Sequence, residues 1–311
     1  MSETAPKTIL LTGSSGTIGT RLAERLIERG FDCIAADIVP NRWSRIVNKK
    51  TIHVDLRDAR ATLKKLPRAV DLIMHLASHA RVYNLIQEPR LAFENVQTTG
   101  NILEYARERS ISRLMFASSR EVYGTLDKKQ THHGETDVNI ERCENPYAAS
   151  KIAGEAFMHA YKRCFGLRPV LFRFSNVYGR YDISDRIIPT FIKLMRRNKD
   201  VTIFGRNKQM DFTYIDDVVD GVIDSLSHFS VIEGKSINLA TGSGTSLHEL
   251  AGLIRRETNA TSKIIMKPHR IGEVIAHVAD ISAAKKLLRF KSKTSIEDGI
   301  KKTVAWYLEN T

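Results

Sequence analysis

Residues Thr8 to Gly30 read TILLTGSSGTIGTRLAERLIERG. A short apolar strand runs into three glycines, Gly13, Gly16 and Gly19, and these open a stretch with apolar residues at helical spacing that Gly30 closes. Strand, tight turn and helix in that order are the context in which a glycine triplet carries meaning. The first glycine permits the turn, the second lets the backbone approach a pyrophosphate, and the third brings helix and sheet close. The helix N-terminus then offers free N–H groups and the positive end of its dipole to phosphate. Asp37 ends the next strand, DCIAAD, about 20 residues on, where a carboxylate accepts hydrogen bonds from an adenosine ribose. That charge repels a 2'-phosphate, so NAD is favoured over NADP, while Arg42 and Arg45 keep NADP as a minor alternative.

Outward from this turn the first half alternates strand and helix. TIHVDL, VDLIMHLAS, SRLMFASS and RPVLFRFSNVYG follow as strands three to six, and apolar strands separated by helical patterns argue for a parallel sheet covered on both faces. From about residue 176 the pattern loosens. SDRIIPTFIKLMRRN and DDVVDGVIDSLSHF read as helices, VTIFG as a short strand, and KSINLATG, near 235–242, as a strand that rejoins the first sheet. Ser246 with Glu249, and Thr294 with Glu297, have capping-box spacing ahead of the last long helical patterns. The expected fold is α/β, a Rossmann-type doubly wound sheet over 1–175 followed by a smaller α/β region over 176–311.

The chain has 311 residues and a formal net charge of +13. Its basic residues are spread along the chain, in short clusters such as Arg196-Arg197 and Lys285-Lys286, without the interleaved aromatics of an RNA-binding face. No apolar run is long enough to span a membrane and the start MSETAPKT lacks a signal-peptide pattern, so a cytoplasmic location is expected. Cys33, Cys143 and Cys164 lack metal-ligand or redox spacing. No metal is expected.

ENPYAASKIAGEAF carries the chemistry. Asn145 is a candidate N-cap and Pro146 fits the first helical position, which puts Tyr147 and Lys151 on one face at the exposed start of a helix. A free tyrosine has a pKa of about 10, and a lysine cation beside it favours phenolate, which could take a proton from a sugar or alcohol hydroxyl. Taken alone this spacing also fits an amphipathic helix with a packed Tyr and a solvated Lys.

Together, TGSSGTIG, Asp37 and YAASK resemble the extended short-chain dehydrogenase/reductase family, in its nucleotide-sugar epimerase, dehydratase and decarboxylase branch. Matches run nearly end to end through VDLRD, HLAS, NVQTTGNILEYAR, FASSREVYG, RFSNVYGRY, RIIPTFI, DFTYIDDVVDG and RIGEVIAHVADISAAK. The resemblance implies NAD as cofactor, contacted by Gly13, Gly16, Thr17, Ile18, Gly19, Asp37, Asp55, Leu56, Leu76, Ala77, Ser78, Asn95, Tyr147, Lys151 and Phe174. It implies Ser119, Tyr147 and Lys151 as the catalytic set, and Ser119, Asn176 and Arg270 as substrate contacts. A nucleotide sugar is the implied substrate and a homodimer the implied assembly, through the helix after Asn95 and the helix of Tyr147. The implied reaction resembles that of a UDP-glucose 4-epimerase, with a 4-keto intermediate.

Three positions depart from the family pattern. The 4,6-dehydratases usually place an acid and then Glu after the catalytic hydroxyl residue. Here Arg120 replaces the acid, and a guanidinium cannot exchange a proton near neutral pH, which disfavours dehydration. Glu121 matches a glutamate of the UDP-glucuronate decarboxylases, so Arg120 and Glu121 sit where the outcome is set, and Arg120 could attract a carboxylate or pair with an acid. Met210 stands where many relatives grip the diphosphate with arginine, with Arg206 or Lys208 as substitutes, and Ala80 stands where many epimerases carry a lysine. A non-catalytic relative that binds RNA or senses nicotinamide state is the contrasting class.

Overall fold

The computed structural model describes residues 6–124, 132–205, 208–268 and 276–311. Its strands are β1 (Thr8–Thr12), β2 (Asp32–Asp37), β3 (Thr51–His53), β4 (Leu72–His75), β5 (Arg113–Ser119), β6 (Arg168–Phe174), β7 (Asn176–Tyr178), β8 (Val201–Phe204), β9 (Gln209–Met210), β10 (Phe212–Tyr214), β11 (Ser236–Leu239), β12 (Thr245–Ser246), β13 (Ile264–Lys267) and β14 (Ala276–His277). The helices are α1 (Thr17–Glu28), α2 (Arg45–Lys50), α3 (Ala59–Lys65), α4 (Val82–Gln87), α5 (Arg90–Glu108), α6 (Pro146–Phe165), α7 (Ile187–Met195), α8 (Ile215–Asp224), α9 (Phe229–Ile232), α10 (Leu247–Glu257), α11 (Ser282–Leu288) and α12 (Ile296–Asn310).

Seven strands form one sheet in the order β11-β6-β5-β4-β1-β2-β3, with every pair parallel. The chain steps from β1 outward through β2 and β3, then returns to the other side of β1 with β4. That reversal opens a crevice beyond the strand ends, where such sheets take ligands. Side-chain alternation builds a core on each face. Ile9 and Leu11 join Leu22 and Leu26 of α1 on one side, while Leu10 joins Ile102, Leu103 and Ala106 of α5 and Met158 of α6 on the other.

RPVLFRFSNVYG is two strands rather than one. β6 lies in the large sheet, but β7 leaves it to pair with β10. Ser175 marks the break, its hydroxyl donating to the Asp211 carbonyl at 2.6 Å. The DDVVDGVIDSLSHF helix likewise ends at Asp224 and tightens into a 3-10 turn over Ser225–His228. The cap of α10 is as expected, with Ser246 accepting from the Glu249 N–H. The last helix starts one residue later than its capping-box spacing suggests. Ser295 caps Asp298, because Thr294 is drawn away by Asp217, whose carboxylate accepts from the Thr294 N–H and hydroxyl.

One set of ion pairs fixes the cofactor half to the rest, and another ties helix to sheet within it. Along the surface, Arg21 and Arg25 of α1 and its C-cap Arg29 meet Asp216, Asp220 and Asp224 in an unbroken register, one turn per pair. Inside, Arg173 of β6 pairs with Glu155 of α6 at 2.6 Å, and Ser118 of β5 donates to the same carboxylate at 2.5 Å. Removing one partner of a buried pair strands a charge and costs about 3–5 kcal/mol, whereas part-exposed pairs contribute about 0–1 kcal/mol. Glu155→Ala is therefore expected to lower stability in a urea melt by about 3–5 kcal/mol and Arg25→Ala by under about 1 kcal/mol. Equal losses would contradict this division.

Candidate active site

The glycine turn packs as its sequence requires. Gly13 has φ +73°, and a Cβ on it would lie 2.6 Å from the Ala77 nitrogen; a Cβ on Gly19 would lie 1.9 Å from the Gly13 carbonyl. On Gly16 it would meet only that carbonyl, at 3.4 Å. The backbone is thus closed behind the turn and open in front of it. Gly16 precedes α1 with no side chain capping the helix, so the first N–H groups face this open side. Such a cradle fits a dinucleotide pyrophosphate. Asp37 stands at the adjoining strand end and accepts from the Ser15 N–H at 2.8 Å. Arg42 lies over the Trp43 ring at 4.6 Å.

From the turn a cleft of about 1160 Å³ runs across the strand ends into the second half of the chain. Every site residue expected from the sequence and among the described residues lines it: the glycine-turn residues, Asp37, Asp55, Leu56, Leu76, Ala77, Ser78, Asn95, Ser119, Arg120, Glu121, Tyr147, Lys151, Phe174 and Asn176. Arg270 and Arg206 lie outside the described residues. Met210 and Lys208 also line the cleft. Among the described residues no group of three or more His, Cys, Asp or Glu side chains is arranged to hold a metal, and no helix is long and apolar enough to cross a membrane.

Asn145 caps α6 by accepting from the Ala148 N–H at 2.9 Å, and Pro146 takes the first helical position. Tyr147 and Lys151 do share a face, but the helix start is buried, not exposed: their relative exposures are 8% and 4%. Their relation also differs from a simple ion-assisted pair. Lys151 Nζ donates to the Ala117 carbonyl at 2.8 Å and to Ser78 Oγ at 3.3 Å, and it lies 5.6 Å from the Tyr147 ring centre. Burial raises the Tyr147 pKa, and the cation that most opposes this is Arg186, not Lys151; the Ser119 hydroxyl hydrogen-bonds the phenol and also favours its ionisation. Burial in turn lowers Lys151 to about 8. Arg186 was not evident in the sequence, because it stands just ahead of α7, far from Tyr147 in the chain, and only the fold brings them together.

Arg120 resolves in favour of pairing. Its Nη2 meets Glu121 Oε1 at 2.7 Å and its Nε donates to Asn176 Oδ1 at 3.2 Å. Glu121 Oε2 accepts from Asn145 Nδ2 at 3.1 Å, so the glutamate is held between a guanidinium and the cap of the catalytic helix. Nη1 of Arg120 is buried with no hydrogen-bond partner among the described residues. Asn95 ties the loop after β4 to α6, accepting from the His79 N–H at 2.7 Å and donating to Ser150 Oγ at 3.2 Å.

A glycine-cradled dinucleotide fold with a Ser, Tyr and Lys set at its crevice defines a nicotinamide-dependent enzyme of the short-chain dehydrogenase/reductase type. The chain belongs to the NAD dependent epimerase/dehydratase family, whose model matches residues 9–240. A putative UDP-glucose 4-epimerase of Methanocaldococcus jannaschii is 32% identical, covering 97% of this chain and 99% of that one. A UDP-glucuronate 4-epimerase of Thermodesulfobacterium geofontis is 30% identical over 97% and 96% of the two chains. Among solved structures, the dTDP-glucose 4,6-dehydratase DesIV of Streptomyces venezuelae, with NAD bound, superposes with a TM-score of 0.88 at 26% identity over 97% of each chain. NAD is the cofactor of this family, and the chain is an NAD-dependent nucleotide-sugar epimerase/dehydratase.

Burial makes the Lys151 ammonium a pH-dependent cost to the fold. Between about 8 and its ordinary 10.5 the unfolded chain holds a proton that the folded one has lost, so stability from this group rises with pH across that window and the penalty is fullest below about 8. Lys151→Met should raise the melting temperature of the cofactor-free protein at pH 7, by an amount that shrinks as pH approaches 10, while turnover is lost. A destabilised variant at pH 7 would show that the ammonium is not held at a cost.

Proposed function

We propose that this protein is an NAD-dependent 4-epimerase of a UDP-hexose, working through a transient 4-keto sugar. Residues 1–175, together with β11, hold the cofactor, and residues 176–311 hold the nucleotide sugar, with Asn176 and Arg270 at its diphosphate. NAD supplies the hydride acceptor at the crevice. Ser119 holds the sugar 4-hydroxyl and Tyr147 as phenolate removes its proton, with Arg186 favouring the ionised phenol. Lys151 donates to the Ala117 carbonyl and Ser78, and its remaining N–H would hold the nicotinamide ribose when NAD is bound. Turning the keto sugar over within the cleft before hydride returns inverts the 4-position. Protonated Tyr147 then gives its proton back, so no cofactor is consumed.

The observation that carries the choice of epimerisation is the Arg120–Glu121–Asn145 tie. Eliminating water needs a free acid and base beside the keto sugar, and here one is a guanidinium and the other is engaged on both oxygens. A uronic sugar is the second reading, favoured by Arg186 and by the unpartnered Nη1 of Arg120, which suit a carboxylate. Incubating the purified protein with UDP-glucose, UDP-galactose and UDP-glucuronate and following products by NMR and mass tests both. The proposal expects interconversion of the first two without change of mass, lowered about 10²- to 10⁴-fold by Tyr147→Phe. Loss of water or of carbon dioxide would replace it with dehydration or decarboxylation.

Assembly as a homodimer completes the proposal. The outer faces of α5 and α6 expose Phe93, at 74%, and Phe157 beside Ala149, Ala156 and Ala160. Small residues flanking a bare aromatic suit close helix packing against a second copy. Phe93→Asp with Phe157→Asp should convert a dimer to a monomer in sedimentation velocity. A wild-type monomer would remove the dimer from this account.

A further inference from the structure

The crevice has two lips. One is the loop after β4, Ser78 to Arg81, held to the cofactor half by Asn95, which both accepts from the His79 N–H and donates to its carbonyl at 3.0 Å. The other is Asp182 to Arg186, between β7 and α7, held to the second half. There the Ser184 N–H donates to Asp182 Oδ1 at 3.1 Å, the Lys193 ammonium caps the Ser184 carbonyl at 3.1 Å, and Tyr307 of α12 donates to the Asp182 carbonyl. Each lip is anchored to its own side.

Across the gap the lips exchange two contacts in opposite directions. The Arg81 guanidinium, from the cofactor side, pairs with the Asp185 carboxylate. The Arg186 guanidinium, from the other side, donates through Nη2 to the Ala80 carbonyl at 3.2 Å. Two adjacent residues on one lip therefore grip two adjacent residues on the other, over a cleft whose floor includes Tyr147 and Ser119. Ala80 is the position where many relatives place a lysine; here its carbonyl serves as an acceptor.

We propose that Arg81, Asp185 and Arg186 are a latch that shuts the cleft over the reacting sugar and keeps the 4-keto intermediate and the dinucleotide from escaping between the two hydride transfers. The role rests on the epimerase reading above. The latch is built to open. The Asp185 carboxylate is 67% exposed, so the pair is screened and weak, and Arg81 feels the repulsion of Arg186 as well as the attraction of Asp182. A contact of this kind adds little to folding but changes the fraction of time the lips are apart. During oxidation the C4 hydrogen leaves as hydride to NAD+ and the hydroxyl proton goes to Tyr147. If the keto sugar departs at that point, the enzyme is left with reduced dinucleotide and a protonated phenol, and it cannot complete that turnover.

The test uses the holoenzyme and the variants Arg81→Gln, Asp185→Asn and the charge-exchanged double variant Arg81→Asp with Asp185→Arg. Two quantities are read: reduced nicotinamide accumulated per turnover with UDP-hexose, and dinucleotide lost during gel filtration without substrate. Each single variant is expected to raise both by about fivefold, the scale of one weak exposed pair, and the exchanged pair to return them toward wild type. Wild-type values of dinucleotide loss in both single variants would overturn the latch. So would failure of the exchanged pair to recover while both singles are impaired. A wild-type enzyme that turns over no UDP-hexose would count against the epimerase reading instead, and the gel-filtration arm would still decide the latch.

Discussion

The catalytic end of α6 is positioned by a charge pair it buries a little over one turn further on. Glu155 faces into the sheet, where Arg173 of β6 meets it with two nitrogens and Ser118 of β5 donates a hydroxyl. Arg173 also donates to the Tyr123 hydroxyl at 3.0 Å and to the Glu135 carbonyl at 2.7 Å, so one guanidinium joins the sheet, the helix and the turn after β5. Apolar packing alone would leave α6 free to slide or rotate on the sheet. Fully bonded charges in a dry layer accept only one register, and that register sets Tyr147 beside Ser119 and Lys151 under the Ala117 carbonyl. The same pair contributes to the environment of Lys151, because Glu155 is the carboxylate whose charge supports its ammonium against burial.

A comparable hub organises the second half. The Asp211 carboxylate is buried and accepts from the Thr241 N–H and hydroxyl and from the Gly242 N–H at 2.8 Å, while its carbonyl receives Asn176 Nδ2 at 2.9 Å. Asn176 in turn meets Arg120, and Arg120 meets Glu121 and, through it, the cap of α6. The residue expected at the diphosphate and the residues expected to set the outcome are thus one chain of hydrogen bonds. A change at Arg120 would be felt at Asn176 as well as at the sugar.

Much of this was legible in the sequence, for local reasons. The glycine turn, the Asn145-Pro146 helix start and the strand–helix alternation each rest on backbone rules that act within a few residues. Spacing therefore predicted the sheet, the glycine turn, Asp37 and the Tyr147–Lys151 pair, while the other expected residues of the cleft came from the family resemblance. What spacing could not supply was direction. Tyr147 and Lys151 share a face as expected, yet Lys151 turns to Ala117 and Ser78, because a buried ammonium takes the fixed carbonyl acceptor offered by β5. Arg120 could have faced substrate or acid; the fold brings Asn176 to its Nε and holds Glu121, through Asn145, against its Nη2, and leaves Nη1 without a hydrogen-bond partner among the described residues. Arg186 and Asp185 were hidden for a related reason, since their partners are about a hundred residues away and no periodicity links them. The cap of α12 shifted from Thr294 to Ser295 because Asp217, remote in sequence, competes for the threonine.

In the proposed reaction the cleft oxidises a sugar at C4 and hands the same hydrogen back to its other face. UDP-glucose carrying deuterium at C4, incubated to equilibrium in ordinary water, tests it most directly. The expected product is UDP-galactose that keeps the deuterium at C4, with no change in mass and no net change in the dinucleotide. Deuterium lost to solvent, or found elsewhere in a product lighter by water, would contradict it.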